Sequence, residues 1–106
     1  MKILICRFSS IGDIVLTSPI VRCIKKSLDA TLHYLTKEKY QNIVSSNQHI
    51  DKVYCFKKSV YEVMNKLKKE NYDIVIDLHK NIRSFQVKNK LKTNYVCYKK
   101  ENFKKF

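Results

Sequence analysis

A chain of 106 residues has room for one domain and lies near the lower end for an open α/β sheet covered on both faces. Hydrophobic residues make up 44%, yet no stretch approaches the roughly 20 apolar residues of a membrane helix, and Arg7 interrupts the opening run too early for a signal-peptide core, so a cytoplasmic protein is expected. The net charge of +13 invites polyanions, but only Arg7, Arg22 and Arg83 are arginines and the lysines are scattered, which argues against specific nucleic-acid recognition and leaves peripheral contact with an anionic membrane surface open.

In chain order, Ile3 to Phe8 reads as a short apolar strand. Ile14, Thr17, Val21, Ile24 and Leu28 then fall on one helical stripe. Pro19 interrupts that stripe: it either kinks one long helix from Gly12, or sits at the first position of a helix capped by Ser18, which would leave Asp13 on a loop. Thr31 to Leu35 is a second strand, Tyr40, Ile43 and Val44 suggest a short helix, and Val53 to Phe56 is a third strand. Val60, Val63, Met64 and Leu67 give the clearest amphipathic helix. Asp73 to Leu78 is nearly continuous in apolar residues, as expected of a central parallel strand. A weaker helix from about Ile82 to Leu91 and a fifth strand, Tyr95 to Tyr98, complete the pattern.

Strands alternating with helices predict an α/β, Rossmann-like parallel five-stranded sheet with flanking helices and right-handed crossovers. In the doubly wound order 3-2-1-4-5, the connections after strands one and four leave in opposite directions and open a crevice at the carboxyl edge. The corner after strand one is Arg7-Phe8-Ser9-Ser10-Ile11-Gly12-Asp13 and holds the sole glycine of the chain, where a tight turn would let backbone amides face a ligand. Its structural reading is a helix start, with Ser10 as cap and Asp13 answering as a variant capping box. Its functional reading makes Asp13 a general base, ionised at neutral pH beside a helix N-terminus. There is no Gly-x-Gly-x-x-Gly and no Walker-type loop, so a dinucleotide or nucleotide triphosphate site is not expected.

Two separated segments carry a family resemblance. Met1 to Pro19, with Arg7-Phe8-Ser9-Ser10-Ile11-Gly12-Asp13 at its centre, resembles the amino terminus of the family 9 glycosyltransferases, the lipopolysaccharide heptosyltransferases. Tyr72-Asp73-Ile74-Val75-Ile76-Asp77-Leu78-His79, followed by Asn81-Ile82-Arg83-Ser84, is similar to that family's second recurrent segment. The resemblance implies the acceptor-side, amino-terminal part of a longer two-domain GT-B enzyme. It also implies that the carboxy-terminal domain, which binds a nucleotide sugar such as ADP-heptose, is absent from this chain. By the same resemblance the reaction inverts the anomeric centre and the acceptor is a lipopolysaccharide inner-core saccharide. Asp13 would be the base, and Ser9, Ser10 and Gly12, with Arg7 and Arg83 as fork-like donors, would hold acceptor hydroxyls, carboxylates or phosphates. Asp77 and His79 are read as structural, the latter through a loop hydrogen bond.

Cys6, Cys23, Cys55 and Cys97 are widely spaced and show no ligand spacing with His33, His49 or His79, so buried reduced thiols and no structural metal are expected. No cofactor is expected either. Three readings stay open: the acceptor half of an inverting glycosyltransferase, a non-catalytic acceptor-binding module or inactive truncated remnant, and a basic nucleic-acid-binding protein.

Overall fold

The computed structural model describes residues 1–79, Val87 and Leu91, together with the backbone of 94–97. The elements are β1 (Lys2–Cys6), α1 (Ile11–Leu16), α2 (Ser18–Leu28), β2 (Thr31–Lys37), α3 (Gln41–Ser45), β3 (Lys52–Phe56), α4 (Met64–Glu70), β4 (Ile74–Asp77) and β5 (Asn94–Cys97). All pairings are parallel and the sheet runs β3-β2-β1-β4-β5, the doubly wound order. β1 to β4 contribute the described side chains of the core; β5 is described by its backbone alone.

β1 sits at the centre because it can be buried on both faces. Ile3, Leu4, Ile5 and Cys6 are each 0% exposed, and burying each of the larger ones fully is worth about 1.5–3 kcal/mol. Alternate side chains serve opposite layers. Ile3 and Ile5 pack with Ile14, Ile20 and Val21 from α1 and α2 and with Val44 from α3. Leu4 and Cys6 pack with Met64 and Leu67 of α4, with Phe56 of β3, and with Val87. The described helical stripes read from sequence therefore face the core, with Ile24, Tyr40 and Ile43 half-buried, except that Leu28, at the last turn of α2, is exposed.

The Pro19 ambiguity resolves into two consecutive helices. Thr17 lies between them in right-handed helical conformation, its N–H bonded to the Ile14 carbonyl and its hydroxyl donating to the same oxygen at 2.6 Å. Pro19 occupies the start of α2, where its missing N–H leaves no bond unmade. Asp13 consequently lies in the first turn of α1 and not on a loop.

Helix ends are shaped by the scarcity of glycine. α2 and α4 terminate at Asp29 (φ 45°) and Asn71 (φ 55°), left-handed positions usually given to Gly and tolerated by these two residue types. Before α4, a 3-10 turn over Val60–Glu62 opens with a capping box between Ser59 and Glu62. The Glu62 carboxylate accepts from the N–H groups of Lys57, Lys58 and Ser59, which holds its pKa down at about 2.

The amino-terminal edge of the sheet is closed by a polar cluster. Glu70 accepts from Lys2 Nζ at 2.6 Å and from the Tyr54 hydroxyl, while buried His33 is bonded to the Tyr72 hydroxyl at 2.7 Å. Lys2 and Tyr54 hold Glu70 down at about 2, and burial lowers His33. This cluster lies at the opposite end of the strands from the corner after β1.

Of the cysteines, Cys6 is buried and Cys55 half-buried, whereas Cys23 is exposed, contrary to the expectation of buried thiols. The cause is helical phase: Cys23 lies off the Ile20, Val21, Ile24 stripe. Among the described residues no helix is long and apolar enough to cross a membrane.

Candidate functional site

β1 ends at Cys6, two residues earlier than Phe8. Arg7 continues the ladder through its N–H to the Leu35 carbonyl, and Phe8, wholly buried beyond the strand, packs edge-on against Phe56 and against the His79 ring. This anchoring fixes where the chain leaves the sheet. Ser10 then stands at the N-cap position of α1, and its carbonyl accepts the first intrahelical bond from Ile14.

The Ser10 side chain does not cap the backbone as a capping box would. It donates instead to Asp13 Oδ2 at 3.1 Å, and the same oxygen receives Arg7 Nη2 at 2.9 Å. Arg7 Nη1 donates to the Leu78 carbonyl at 2.7 Å, so one guanidinium ties the corner after β1 to the end of β4. Arg7 Nε is buried without a hydrogen-bond partner among the described residues. Both terminal nitrogens of Arg7 are thus engaged within the protein, which makes it a holder of the Asp13 carboxylate.

The β4 side of the crevice is organised by Asp77 and His79. Buried Asp77 accepts from the His79 N–H at 2.8 Å, tightening the turn after β4, and His79 Nδ1 faces the Phe8 N–H at 3.4 Å. Burial, with the Asp77 charge in support, raises the pKa of the Cys6 thiol. Ser9 is half-buried and Ser10 exposed at the same corner. Gly12 lies inside α1 without a positive φ, and a Cβ placed on it would meet open space. Its predicted role in a tight turn is therefore not what its backbone shows; the chain turns before it. Arg83 lies outside the described residues.

Structure thus brings Arg7, Ser10 and Asp13 into one bonded group beside Leu78 and His79. Sequence reasoning did not find that grouping, because nothing local announces a contact between Arg7 and a carbonyl 71 positions away. Among the described residues no group of three or more His, Cys, Asp or Glu is placed to hold a metal ion.

A second feature, in the layer of α1, α2 and α3, escaped the sequence reading. A cleft of about 780 Å³ opens between the α1–α2 junction and the segment from α3 to β3, bounded by Val15, Leu16 and Pro19 on one side and Ile43 and Ile50 on the other. Buried Tyr34 lies at its base, its hydroxyl 3.0 Å from that of Thr17; burial raises its pKa.

No family model matches the chain. A 55-residue stretch, 51% of the chain, is 38% identical to the lipopolysaccharide heptosyltransferase 1 of Campylobacter coli and covers 16% of that protein. Among solved structures, the glycosyl transferase family 9 protein from Veillonella parvula DSM 2008 superposes with a TM-score of 0.79 at 24% identity, covering 99% of this chain and 33% of that one. The chain resembles the amino-terminal part of the family 9 glycosyltransferases. E. coli ADP-heptose lps heptosyltransferase II gives a TM-score of 0.79 at 16% identity over 95% of this chain, and E. coli heptosyltransferase WaaC with ADP gives 0.71 at 22% over 92%. The chain spans about a third of the length of these structures, 31% to 33%. At such identities they share the fold, α/β with a parallel sheet and flanking helices. Of the family-like segments, Ser9 to Asp13 follows β1, and Tyr72 to His79 contains its neighbour β4 and the turn after it.

Proposed function

We propose that this chain is the acceptor-side part of an inverting glycosyltransferase of GT-B architecture, one that moves a heptose or related sugar from a nucleotide sugar such as ADP-heptose to a lipopolysaccharide inner-core acceptor. The observation that supports it most is the Arg7–Asp13–Ser10 group, held at the carboxyl edge where the connections after two neighbouring strands part to opposite faces of the sheet. In this reading an acceptor hydroxyl lies against Asp13, which takes its proton as the oxygen attacks the anomeric carbon. The bond from that carbon to the diphosphate breaks on the opposite face, which inverts the centre. The nucleoside diphosphate leaves with the electron pair, stabilised by a donor-binding domain that a longer protein would supply.

Arg7 fixes the rotamer of the base and keeps it aimed into the crevice. Ser9, Ser10 and the open flank at Gly12 contribute hydroxyls and space for the acceptor, with Arg83 as a further donor. Open space over Gly12 suits the close approach of a ligand to backbone.

The test joins this chain to the donor-binding half of a heptosyltransferase and follows transfer from ADP-heptose to an inner-core saccharide. Asp13→Asn is expected to lower transfer by about 10²-fold or more while acceptor binding persists. Unchanged transfer removes Asp13 as the base. Saturable acceptor binding without any transfer supports the non-catalytic module, and absence of acceptor binding overturns both readings.

A further inference from the structure

We propose that the cleft between the α1–α2 junction and the α3–β3 segment is a binding site for a single phosphate-headed lipid, with its hydrocarbon chain along the apolar walls and its head group at Arg22. Val15 and Leu16, 54% and 56% exposed, face solvent beside Pro19, Ile43 and Ile50 of the cleft wall. Ile11, also 54% exposed, continues this strip along α1. Large apolar side chains left open and contiguous in a concavity mark a ligand surface more than a monomer's ordinary exterior. A volume of about 780 Å³ lies within the range of small-molecule sites.

Some of the polar groups lining the cleft are already committed within the protein. Asn47 accepts from the His49 N–H at 2.9 Å and donates to Ser18 Oγ at 3.4 Å, and Ser46 donates to the Ile43 carbonyl. Arg22, exposed at the rim, has no carboxylate partner among the described residues, unlike Arg7, Lys2 or Lys25, and the cleft lining contains no Asp or Glu. Gln48 and His49 also line the cleft, but Arg22 is the one Lys or Arg of its lining, and an uncommitted guanidinium beside the apolar walls selects one anionic group with a hydrocarbon chain attached. A guanidinium recognises a phosphate through paired N–H donors, which a neutral sugar head group cannot match.

The site does not rest on the transferase reading. α1 separates the two, with Asp13 in its first turn and Val15 and Leu16 in its last.

The experiment titrates dodecyl phosphate, kept below its micelle concentration, into the 106-residue chain and follows binding by calorimetry and by amide shifts. Saturable one-to-one binding is expected, with shifts at Val15, Leu16, Ile43 and Ile50. Arg22→Gln and Leu16→Asn, both exposed positions that leave the core intact, should each weaken it about ten-fold, the loss of one charge-assisted contact or of chain burial. Asp13→Asn should leave it unchanged. Three results would overturn the proposal. Inorganic phosphate binding as tightly means a bare anion site. Dodecyl maltoside binding equally well, with Arg22→Gln indifferent, means an apolar groove without head-group recognition. Binding confined to phosphatidylglycerol vesicles means a membrane-facing surface and not a single-lipid site.

Discussion

Replacing Arg7 and Asp13 singly and together, as Arg7→Gln, Asp13→Asn and the double variant, measures how strongly the corner after β1 is tied down. The pair meets at 2.9 Å, with side-chain exposures of 16% for Arg7 and 28% for Asp13, so it is neither a solvated surface pair nor a fully desolvated one. Exposed ion pairs couple by about 0.2–1 kcal/mol, and hydrogen bonds to charged groups are worth about 1.5–3 kcal/mol. The geometry places this pair between those classes, giving an expected coupling of about 1–2 kcal/mol. Arg7→Gln should cost more than Asp13→Asn, because it also removes the bond to the Leu78 carbonyl. The double variant should then be less destabilised than the sum of the singles, by the coupling. Urea unfolding at low salt gives the four free energies, and repetition in 1 M NaCl, where the screening length is about 3 Å, should shrink the coupling. Strict additivity, within about 0.3 kcal/mol, would refute the idea that Arg7 holds the carboxylate.

Two further predictions concern Gly12 and the amino-terminal edge of the sheet. Gly12→Ala should stabilise the chain by about 0.5–1 kcal/mol, a rise in Tm of roughly 3–6 °C, because the position is helical and the added Cβ meets nothing; a fall in Tm would contradict the placement. Acid should weaken the fold in two stages. Burial lowers the His33 pKa below 6.5, so its stabilising contribution is complete above that pH and is lost as the pH falls below it. Glu70, at about 2 against an ordinary 4.5, adds a second loss as the pH falls from about 4.5 toward 2. Urea midpoints across pH should fall in both windows, the upper fall vanishing in His33→Gln and the lower one shrinking in Glu70→Gln; a flat profile would refute both assignments.

Much of the fold was legible because periodicity reports burial. The Ile14, Thr17, Val21 stripe and the Val60, Val63, Met64, Leu67 stripe are buried as read, and the continuous apolar run before His79 is β4, beside β1. Boundaries were less legible where a side chain outside regular structure is buried. Phe8 looked like strand because it is apolar, yet its burial comes from Phe56 and His79, which lie far along the chain. The helix after β3 begins later than its stripe suggests, since Val60 belongs to a 3-10 turn; the pattern Ser59-x-x-Glu62 was the local signal for it. Of the site, the position of the corner after β1 could be read, but not its bonding. An arginine beside a loop has no local sign of a protein partner, and the contacts of Arg7 to Asp13 and Leu78 exist only once the strands are side by side. The link between His33 and Tyr72, 39 residues apart, had no sequence signal for the same reason.

The position of β1 in the middle of the sheet also has a consequence for biosynthesis. β1 leaves the ribosome ahead of both strands it pairs with, and its second neighbour, through the pairs Ile3–Ile74 and Ile5–Ile76, is made some 70 residues later. Until β4 arrives, a run of Ile, Leu, Ile and Cys has one open edge and one unfilled layer, which is the exposure that favours misassembly of nascent chains. Closing contacts over such sequence distances is slow. A nascent chain paused between β3 and β4 would therefore be the species most dependent on a chaperone, even though the finished sheet leaves none of that strand's apolar side chains in water.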